Sequence, residues 1–567
     1  MARHLITSAL PYINGIKHLG NLVGSMLPAD LYARYLRQRG HEVLYICATD
    51  EHGTPAELAA SEAGLPVSVY CAQQHALQED VGRRFALSFD YFGRSSSPQN
   101  HALTQLIGRQ LSEQGYIEER IVKQIYSRAD GRFLPDRYII GTCPHCGYVA
   151  ARGDQCESCT RLLDPLQLID PRSAISGSPD VEVRDSLQLY LLQSRLAGKL
   201  KSWIDTKSTW PTLTRSIAMK WLNEGVEDRG ITRDLSWGVP VDRKGFENKV
   251  YYVWFDAPIE YMGATREWAD ADPARRPWQS WWYGADDVTY TQFMAKDNIP
   301  FHTIMFPAML MGTAEPWKLA DYIKGVNWLT YYGGKFSTTR HHGVFMDSAL
   351  ELLPADYWRY FLLANTPESD DADFTWERFA AQVNKDLADT LGNFVRRVLT
   401  FSLRQFGDVV PTGGVAGEPE RNLAGQVAEL VCEYEASLET LQLRRALQQL
   451  RAIWSLGNSY LDIKAPWQET KRSPEAAALT LRTAMNLIYL YGVISEPVIP
   501  EASRLLQGQF KAEPNGAERP RWPNSSQLTR LDFLAAGSRF SMPPLLFRKI
   551  TDEDVSAWRE RFGAEER

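Results

Sequence analysis

Four of the chain's seven cysteines stand in two pairs, Cys143-Pro-His-Cys146 and Cys156-Glu-Ser-Cys159. Each C-x2-C turn brings two thiols together, and two such turns complete a tetrahedron of thiolates around Zn2+. Four thiolates leave no open position, so one structural zinc is expected rather than a catalytic one. The alternatives are two disulfides or a redox pair. An intracellular setting disfavours the first, and two pairs are unnatural for the second. His145 lies inside one turn and is read as a non-ligand. A second concentration of chemistry lies in residues 7–21, TSALPYINGIKHLGN. His18 and Asn21 are three apart and would share a face of an opening helix. A small-residue turn feeding a helix N-terminus offers backbone N–H groups to an anion, and glycine lets a ligand come close. That suits a nucleotide; taken alone, it also fits an ordinary strand–turn–helix connection.

These residues need elements to hold them. Residues 4–6 read as a short strand, Leu10-Pro11-Tyr12 breaks it, Asn14-Gly15 turns, and a helical run extends to Arg39, with Pro28 kinking or restarting it. Residues 42–48 are a near-continuous apolar run ending in Thr49-Asp50-Glu51-His52-Gly53, the pattern of a buried parallel strand with polar groups at its carboxyl end. Open α/β sheets bind ligands at that end, which makes Asp50 and His52 site candidates. Further strands are expected at 249–254 and 301–306, a mixed helical piece at 187–203, and a glycine-bearing loop around Lys335. Beyond about residue 373 the apolar residues recur at helical spacing, as in a bundle of antiparallel helices.

The 567 residues carry a net charge of −7, which argues against sequence-wide attraction to nucleic acid but allows a local basic face. No apolar run approaches 18 residues, so no membrane is expected, and the N-terminus turns polar too soon for a secretory signal. A cytoplasmic location is therefore the default. Cys47, Cys71 and Cys432 are expected to be buried thiols.

Two distant segments then combine. His18-Leu19-Gly20-Asn21 precedes the first helix, and Lys335-Phe-Ser-Thr-Thr339 lies on the glycine-bearing loop. The pair resembles the two signatures of class I aminoacyl-tRNA synthetases, His-Ile-Gly-His and Lys-Met-Ser-Lys-Ser. With the inserted cysteine module and the helical end, residues 3–510 resemble the methionyl-tRNA synthetase family. Ala9-Leu10-Pro11-Tyr12, Asp50, Tyr252-Val-Trp254-Phe-Asp-Ala-Pro258-Ile-Glu-Tyr261, Lys296-Asp297 and Phe301-His302 carry the methionine-specific part. Ala465-Pro466-Trp467 resembles the anticodon-reading element.

The resemblance implies methionine activation by ATP, then transfer to the terminal ribose of tRNA(Met), initiator tRNA included. It implies a Rossmann-type α/β catalytic domain split over 1–115 and 233–325. The connective insert with the zinc knuckle would span 116–232, a signature-loop and stem-contact region 326–372, an all-α anticodon-binding bundle 373–510, and a tail 511–567 packed back on the catalytic body. It assigns His18, Gly20, Asn21, Asp297, Lys335 and Thr338 to ATP, with His18, Asn21 and Lys335 catalytic and Mg2+ sharing the phosphate charge. It assigns Ala9, Leu10, Tyr12, Asp50, Trp254, Pro258, Tyr261 and His302 to methionine. Asp50 would hold the α-ammonium, and Tyr261 or His302 would donate to the sulfur. Asn393, Arg397, Pro466 and Trp467 would read the anticodon, with Arg396 and Arg404 near phosphates. Nothing after residue 510 resembles the appended tRNA-binding barrel of dimeric members, so a monomer is expected. Two positions depart from the signatures: Asn21 replaces a histidine and Thr338 a lysine. Both remove a cation from the phosphates, and Arg340 is a candidate substitute. The rival readings are a silent tRNA-binding relative and a ligase for another apolar amino acid.

Overall fold

The computed structural model describes residues 2–153, 156, 158–159, 161, 163–338, 342–510 and 521–563. Arg340 lies outside the described residues. Five parallel strands form the central sheet, in the order Tyr322–Val326, Val288–Ala295, Arg3–Ser8, Glu42–Thr49, Tyr91–Arg94. The chain direction of winding reverses between Arg3–Ser8 and Val288–Ala295, and such a switch point opens a crevice at the carboxyl ends of the strands. Side chains alternate across the sheet. Leu5, Leu44, Ile46 and Ala48 enter the core on one face; Ile6, Tyr45 and Cys47 enter the core on the other. This second core runs without a break into the helical bundle and the C-terminal segment.

After the first strand the chain forms a short helix, Leu19–Asn21, then a wider π-turn, Leu22–Met26, then the helix Leu27–Gln38 with Pro28 in its first turn. This is the restart expected at Pro28, since a first turn has no use for the N–H that proline lacks.

Two expected strands are something else. Residues 249–254 pair only at Val250–Tyr251 before entering the short helix Val253–Asp256. Residues 301–306 wind as the π-turn Phe301–Met305 and continue into the helix Phe306–Gly312. Both runs are apolar because they are buried on most sides, and over six residues that pattern does not separate strand from helix. The expected helical piece at 187–203 likewise begins as the strand Val181–Leu191, which pairs antiparallel with Ile117–Ser127. That ribbon carries a small sheet of Ile139–Thr142, Ala151–Arg152 and Ile169–Ser173, on which the cysteine turns sit.

The bundle contains Asn393–Phe406, Glu418–Glu439, Leu443–Lys464 and Pro474–Ile494. Pro474–Ile494 has the length and apolar character to cross a membrane, but 89% of its apolar window is buried among the other helices. Cys47 and Cys71 are buried as expected, whereas Cys432 is exposed. On Glu418–Glu439 the inward stripe is taken by Val427, Val431, Tyr434 and Leu438, and Cys432 falls outside it. The C-terminal segment folds back on the body. Trp522 donates its backbone N–H to the Gln38 carbonyl (3.0 Å) and wedges its ring between Tyr35 and Tyr434, while Trp558 packs on Trp376.

Candidate active site

The two signature segments meet through a ring stack, and the first is hydrogen-bonded to the chain just after the second. The Leu19 N–H donates to the Val344 carbonyl (3.0 Å), the Met346 N–H donates to the Lys17 carbonyl (2.9 Å), and the His18 ring stacks on Phe336 with centroids 5.0 Å apart. His18 caps the short helix reciprocally with Asn21. The Asn21 N–H donates to His18 Nδ1 (3.2 Å), and the His18 N–H donates to Asn21 Oδ1 (3.3 Å). An accepting Nδ1 places the imidazole proton on Nε2. Burial, with Lys17 adding to it, lowers the His18 pKa to about 3, so the ring is a neutral Nε2–H donor at pH 7. Asn21 keeps its side-chain NH2 for another acceptor. A Cβ at Gly20 would stand 3.0 Å from His18 Nδ1, so only glycine leaves this imidazole undisturbed.

These residues line a cavity of about 290 Å3 at the switch point, walled also by Ala9, Leu10, Ala295, Asp297, Asn298, Trp328 and Lys335. Lys335 Nζ lies 3.8 Å from the Trp328 ring centroid, and Lys296 Nζ lies 4.1 Å from the same centroid. Trp328 was absent from the sequence-derived site, and Lys296 entered it only as half of the quoted Lys296-Asp297 pair, with no role of its own. The only signals for them are adjacency to Asp297 and a place on the strand leading to the Lys335 turn. Thr338 is not in this wall; it lines a neighbouring open groove with Asn14 and Gly15.

The amino-acid candidates gather beside this cavity. Tyr12 bridges to Asp50 in parallel register, and the Ile13 N–H donates to the Asp50 carbonyl (2.9 Å). The Asp50 carboxyl is buried and its Oδ1 has no hydrogen-bond partner. Desolvation, then the nearby Asp256, holds its pKa well above the usual carboxylate range. Burial also lowers the neighbouring Lys17 to about 7. Trp254 donates Nε1–H to the Tyr12 hydroxyl (3.1 Å), and its ring rests on Phe301, 4.3 Å between centroids. Tyr12 and Trp254 line a second cavity, of about 170 Å3, rather than the first. His302 sits in the π-turn with Nδ1 3.0 Å from the Asn298 carbonyl, so Nδ1 carries the proton and Nε2 accepts from the Tyr261 hydroxyl (3.0 Å). Burial lowers the His302 pKa to about 4. Both the Tyr261 hydroxyl proton and the His302 proton are thus engaged within the protein, and neither is offered to a sulfur atom. Pro258 is buried just after the Trp254 helix. His52, the other candidate at the end of the second strand, is buried 2.5 Å from Asp256 and lines neither cavity.

Two other clusters lie apart from the cavity. The Sγ atoms of Cys143, Cys146, Cys156 and Cys159 all fall within 4.8 Å of one another, with Cys143–Cys159 at 3.9 Å and Cys146–Cys156 at 3.6 Å. Zn–S bonds of about 2.3 Å in a tetrahedron put sulfurs roughly 3.8 Å apart, so this donor set fits. At the bundle, Ala465 adopts φ +39° and breaks Leu443–Lys464 from the short helix Pro466–Glu469. That break presents Trp467, 38% exposed, beneath the Arg397 guanidinium, 4.9 Å from the ring centroid. Arg397 also bonds Asp462 (3.3 Å), and Asn393 is exposed one turn before it. Pro466 is buried, and Arg396 and Arg404 are exposed.

Comparison with known proteins is consistent across the whole chain. A family described as tRNA synthetases class I (M) matches residues 4–399, and one described as the anticodon binding domain of methionyl tRNA ligase matches residues 410–567. A methionine–tRNA ligase of Streptomyces avermitilis is 64% identical over 99% of both chains, and one of Dinoroseobacter shibae is 58% identical over the same shares. Among solved structures, Mycobacterium tuberculosis methionyl-tRNA synthetase in complex with methionyl-adenylate shares the fold. Its TM-score is 0.77 at 23% identity, covering 96% of this chain and 100% of that one.

Proposed function

The chain belongs to the methionyl branch of the class I aminoacyl-tRNA synthetases, and from that premise we propose how its residues divide the reaction. It binds ATP, methionine and tRNA and is a methionine–tRNA ligase. A methionine carboxylate oxygen attacks the α-phosphorus of ATP, the α–β P–O bond breaks, and pyrophosphate leaves with the electron pair. A terminal ribose hydroxyl of tRNA then attacks the acyl carbon of methionyl-adenylate and AMP departs. The first step needs no covalent help from the protein, only placement and charge.

The observation that carries the assignment is the junction of the two signature segments at the sheet's switch point. There His18 Nε2–H and the Asn21 NH2 donate to phosphate oxygens, Gly20 leaves room for the nucleotide, and Asp297 lines its pocket. Lys335 neutralises charge on the β- and γ-phosphates as the α–β bond breaks. Mg2+ enters with the nucleotide and shares that charge. Asp50, whose free oxygen is buried and unpaired, takes the α-ammonium. Ala9, Leu10, Tyr12, Trp254, Pro258, Tyr261 and His302 enclose the thioether, which suits aromatic contact. Thr338 lines the neighbouring groove and not the cavity wall, and its hydroxyl carries no charge to replace the missing lysine.

The four cysteines hold one Zn2+, which ties the knuckle to its sheet and takes no part in the chemistry. Removing it by chelation should release one equivalent of zinc and loosen the insert, and inductively coupled plasma measurement showing another metal, or none, would reject it. Trp467 stacks an unpaired anticodon base while Asn393 and Arg397 read base edges; Arg396 and Arg404 meet the backbone. Trp467→Ala should then weaken tRNA charging about tenfold with pyrophosphate exchange intact, and equal loss of both would make Trp467 structural. The protein works as a cytoplasmic monomer on initiator and elongator tRNA(Met), which sedimentation, cell fractionation and charging of each purified tRNA address.

One assay tests the whole reading: ATP–pyrophosphate exchange with a panel of amino acids. Exchange with methionine alone is expected. Exchange with none leaves a tRNA-binding relative, and preference for another apolar amino acid leaves a different ligase.

A further inference from the structure

The phosphate side of the cavity is short of positive charge. His18 is a neutral donor, Asn21 has no charge to give, and Thr338 stands where the signature has its second lysine. We propose that Lys296 supplies the second cation of the phosphate site, and that Trp328 is the platform that sets it against Lys335. The proposal rests on the assignment of the cavity to ATP.

Both ammonium groups lie over one indole ring, Lys335 at 3.8 Å and Lys296 at 4.1 Å from its centroid. Two points that close to a third are no more than about 8 Å apart, a span that neighbouring phosphate groups of a triphosphate bridge. Two like charges at that separation repel, and the electron-rich face of an indole offsets the repulsion. Trp328 itself lines the cavity, and Lys296 sits between Ala295 and Asp297, which line it too. The platform is built rather than incidental. Asp371 accepts from the Trp328 N–H (2.9 Å) and from Lys296 Nζ (2.7 Å), so one carboxylate fixes both. Asp371 is in turn fixed by the strand that follows it, where the Ala372 N–H donates to the Trp328 carbonyl (3.0 Å) and Ala372–Phe374 pairs with Leu329–Tyr331. Lys335, by contrast, has no carboxylate within ion-pair distance among the described residues. Its ammonium rests on the Trp328 ring, with Asp371 near enough to attract it without forming an ion pair, so it is ready to transfer to an anion. Lys296, tied to Asp371 at the end of Val288–Ala295, is the fixed member of the pair.

The division predicts separable effects. Lys296→Gln should raise the KM for ATP, and the KM for pyrophosphate in the exchange reaction, by about tenfold each, with the methionine KM moving less than about twofold. Lys296→Arg should recover most of the loss. Trp328→Leu should lower kcat of exchange by about tenfold and Trp328→Phe by less than about threefold, since a phenyl face still attracts cations. Lys296→Gln placed in the Trp328→Leu background should cost less than in the wild type, because the pair acts as a unit. Methionine-dependent exchange by the wild-type protein is the control for the functional assignment itself; its absence would remove that reading. With wild-type exchange present, a Lys296→Gln protein whose ATP and pyrophosphate KM values stay within twofold would overturn this proposal. So would equal rises in the methionine and ATP KM values, which would mark a general structural defect. If Arg340→Gln alone produced the phosphate-specific loss, the second cation would be Arg340 and the proposal would fall.

Discussion

The two sides of the catalytic cavity are built in opposite ways. On the side proposed for methionine, the polar side chains are paired with one another or with the backbone. Tyr261 donates to His302, His302 donates to the Asn298 carbonyl, and Trp254 donates to Tyr12. On the phosphate side, Lys335 is exposed and lies on a ring face, Lys296 is tied to Asp371, and His18 and Asn21 keep donors in reserve. The difference follows from what each side has to do. Selecting a thioether requires a shape that does not change, and a fixed network of satisfied hydrogen bonds provides it. Stabilising charge that moves from an α–β bridge to a departing pyrophosphate requires donors free to follow it. Asp50 is the exception that supports the rule. Its buried Oδ1 has no hydrogen-bond partner among the described residues, and it is the group proposed to take the α-ammonium of methionine.

Replacing His18 should give the largest break between the two sides. His18→Ala removes a donor aimed at the phosphates and one half of the reciprocal cap with Asn21. A fall of roughly 10²–10³ in exchange rate is expected, while methionine binding, followed by equilibrium dialysis, stays within a few-fold. Loss of methionine affinity to the same degree would show that the two sides are one rigid unit. Asp50→Asn is the mirror experiment. It keeps shape but removes the carboxylate, so the methionine KM should rise by about 1.5–3 kcal/mol in binding terms, with the ATP KM little changed. The same substitution should also relieve the desolvation of a buried charge, so the variant should melt no lower than the wild type.

Much of the candidate site was legible in the chain because short polar motifs at strand ends mark the residues that the fold gathers around the cavity. The fold was less so, and the reasons are local. Val288–Ala295, which forms the switch point, reads Val-Thr-Tyr-Thr-Gln-Phe-Met-Ala and lacks the apolar run expected of a buried strand. Thr291 and Gln292 are nonetheless buried, and Gln292 donates to the Tyr290 hydroxyl (2.6 Å) that also meets Thr7 (3.1 Å). Polar residues that hydrogen-bond one another inside a sheet look exposed in a sequence. The reverse error came from 301–306, where an apolar run proved to be a π-turn whose widened winding brings His302 to Tyr261. The Lys296–Trp328–Lys335 arrangement was invisible for another reason. It depends on three residues in different segments and on a carboxylate, Asp371, that no motif marks.

Tyr261→Phe tests whether the methionine wall owes its selectivity to the committed hydrogen bond. The phenyl ring conserves shape and leaves His302 Nε2 buried without a donor, at a cost of about 1–3 kcal/mol. Stability should fall by that order in urea titration. Discrimination between methionine and its all-carbon analogue should change by less than about threefold, since the Tyr261 proton points at His302 and not at sulfur. A larger change would mean that the hydroxyl turns to the substrate when methionine enters.

The smallest effect concerns pH, and it separates the two sides through their imidazoles. The His302 pKa is lowered to about 4 in the folded chain, against an ordinary value of 6.5. Below pH 6.5 the unfolded chain takes up a proton that the folded chain refuses, so this residue's contribution to stability declines from pH 6.5 towards 4 and is intact above 6.5. A displacement of that size corresponds to roughly 3 kcal/mol. Raised carboxyls such as Asp50 act in the opposite sense, because they bind protons more readily in the folded state. The total stability of the wild type therefore does not isolate the histidine. The difference between wild type and His302→Gln, measured by urea unfolding from pH 7.5 to 4.5, does. It should be flat above about pH 6.5 and should narrow steadily below it, as the wild type loses an advantage that the variant never had. His18, lowered to about 3, should likewise leave no inflection near 6.5 in the pH dependence of exchange. An imidazole titration at 6.5 in that profile would mean that the phosphate side uses a charged His18, and the contrast between a committed side and a cation-poor side would no longer hold.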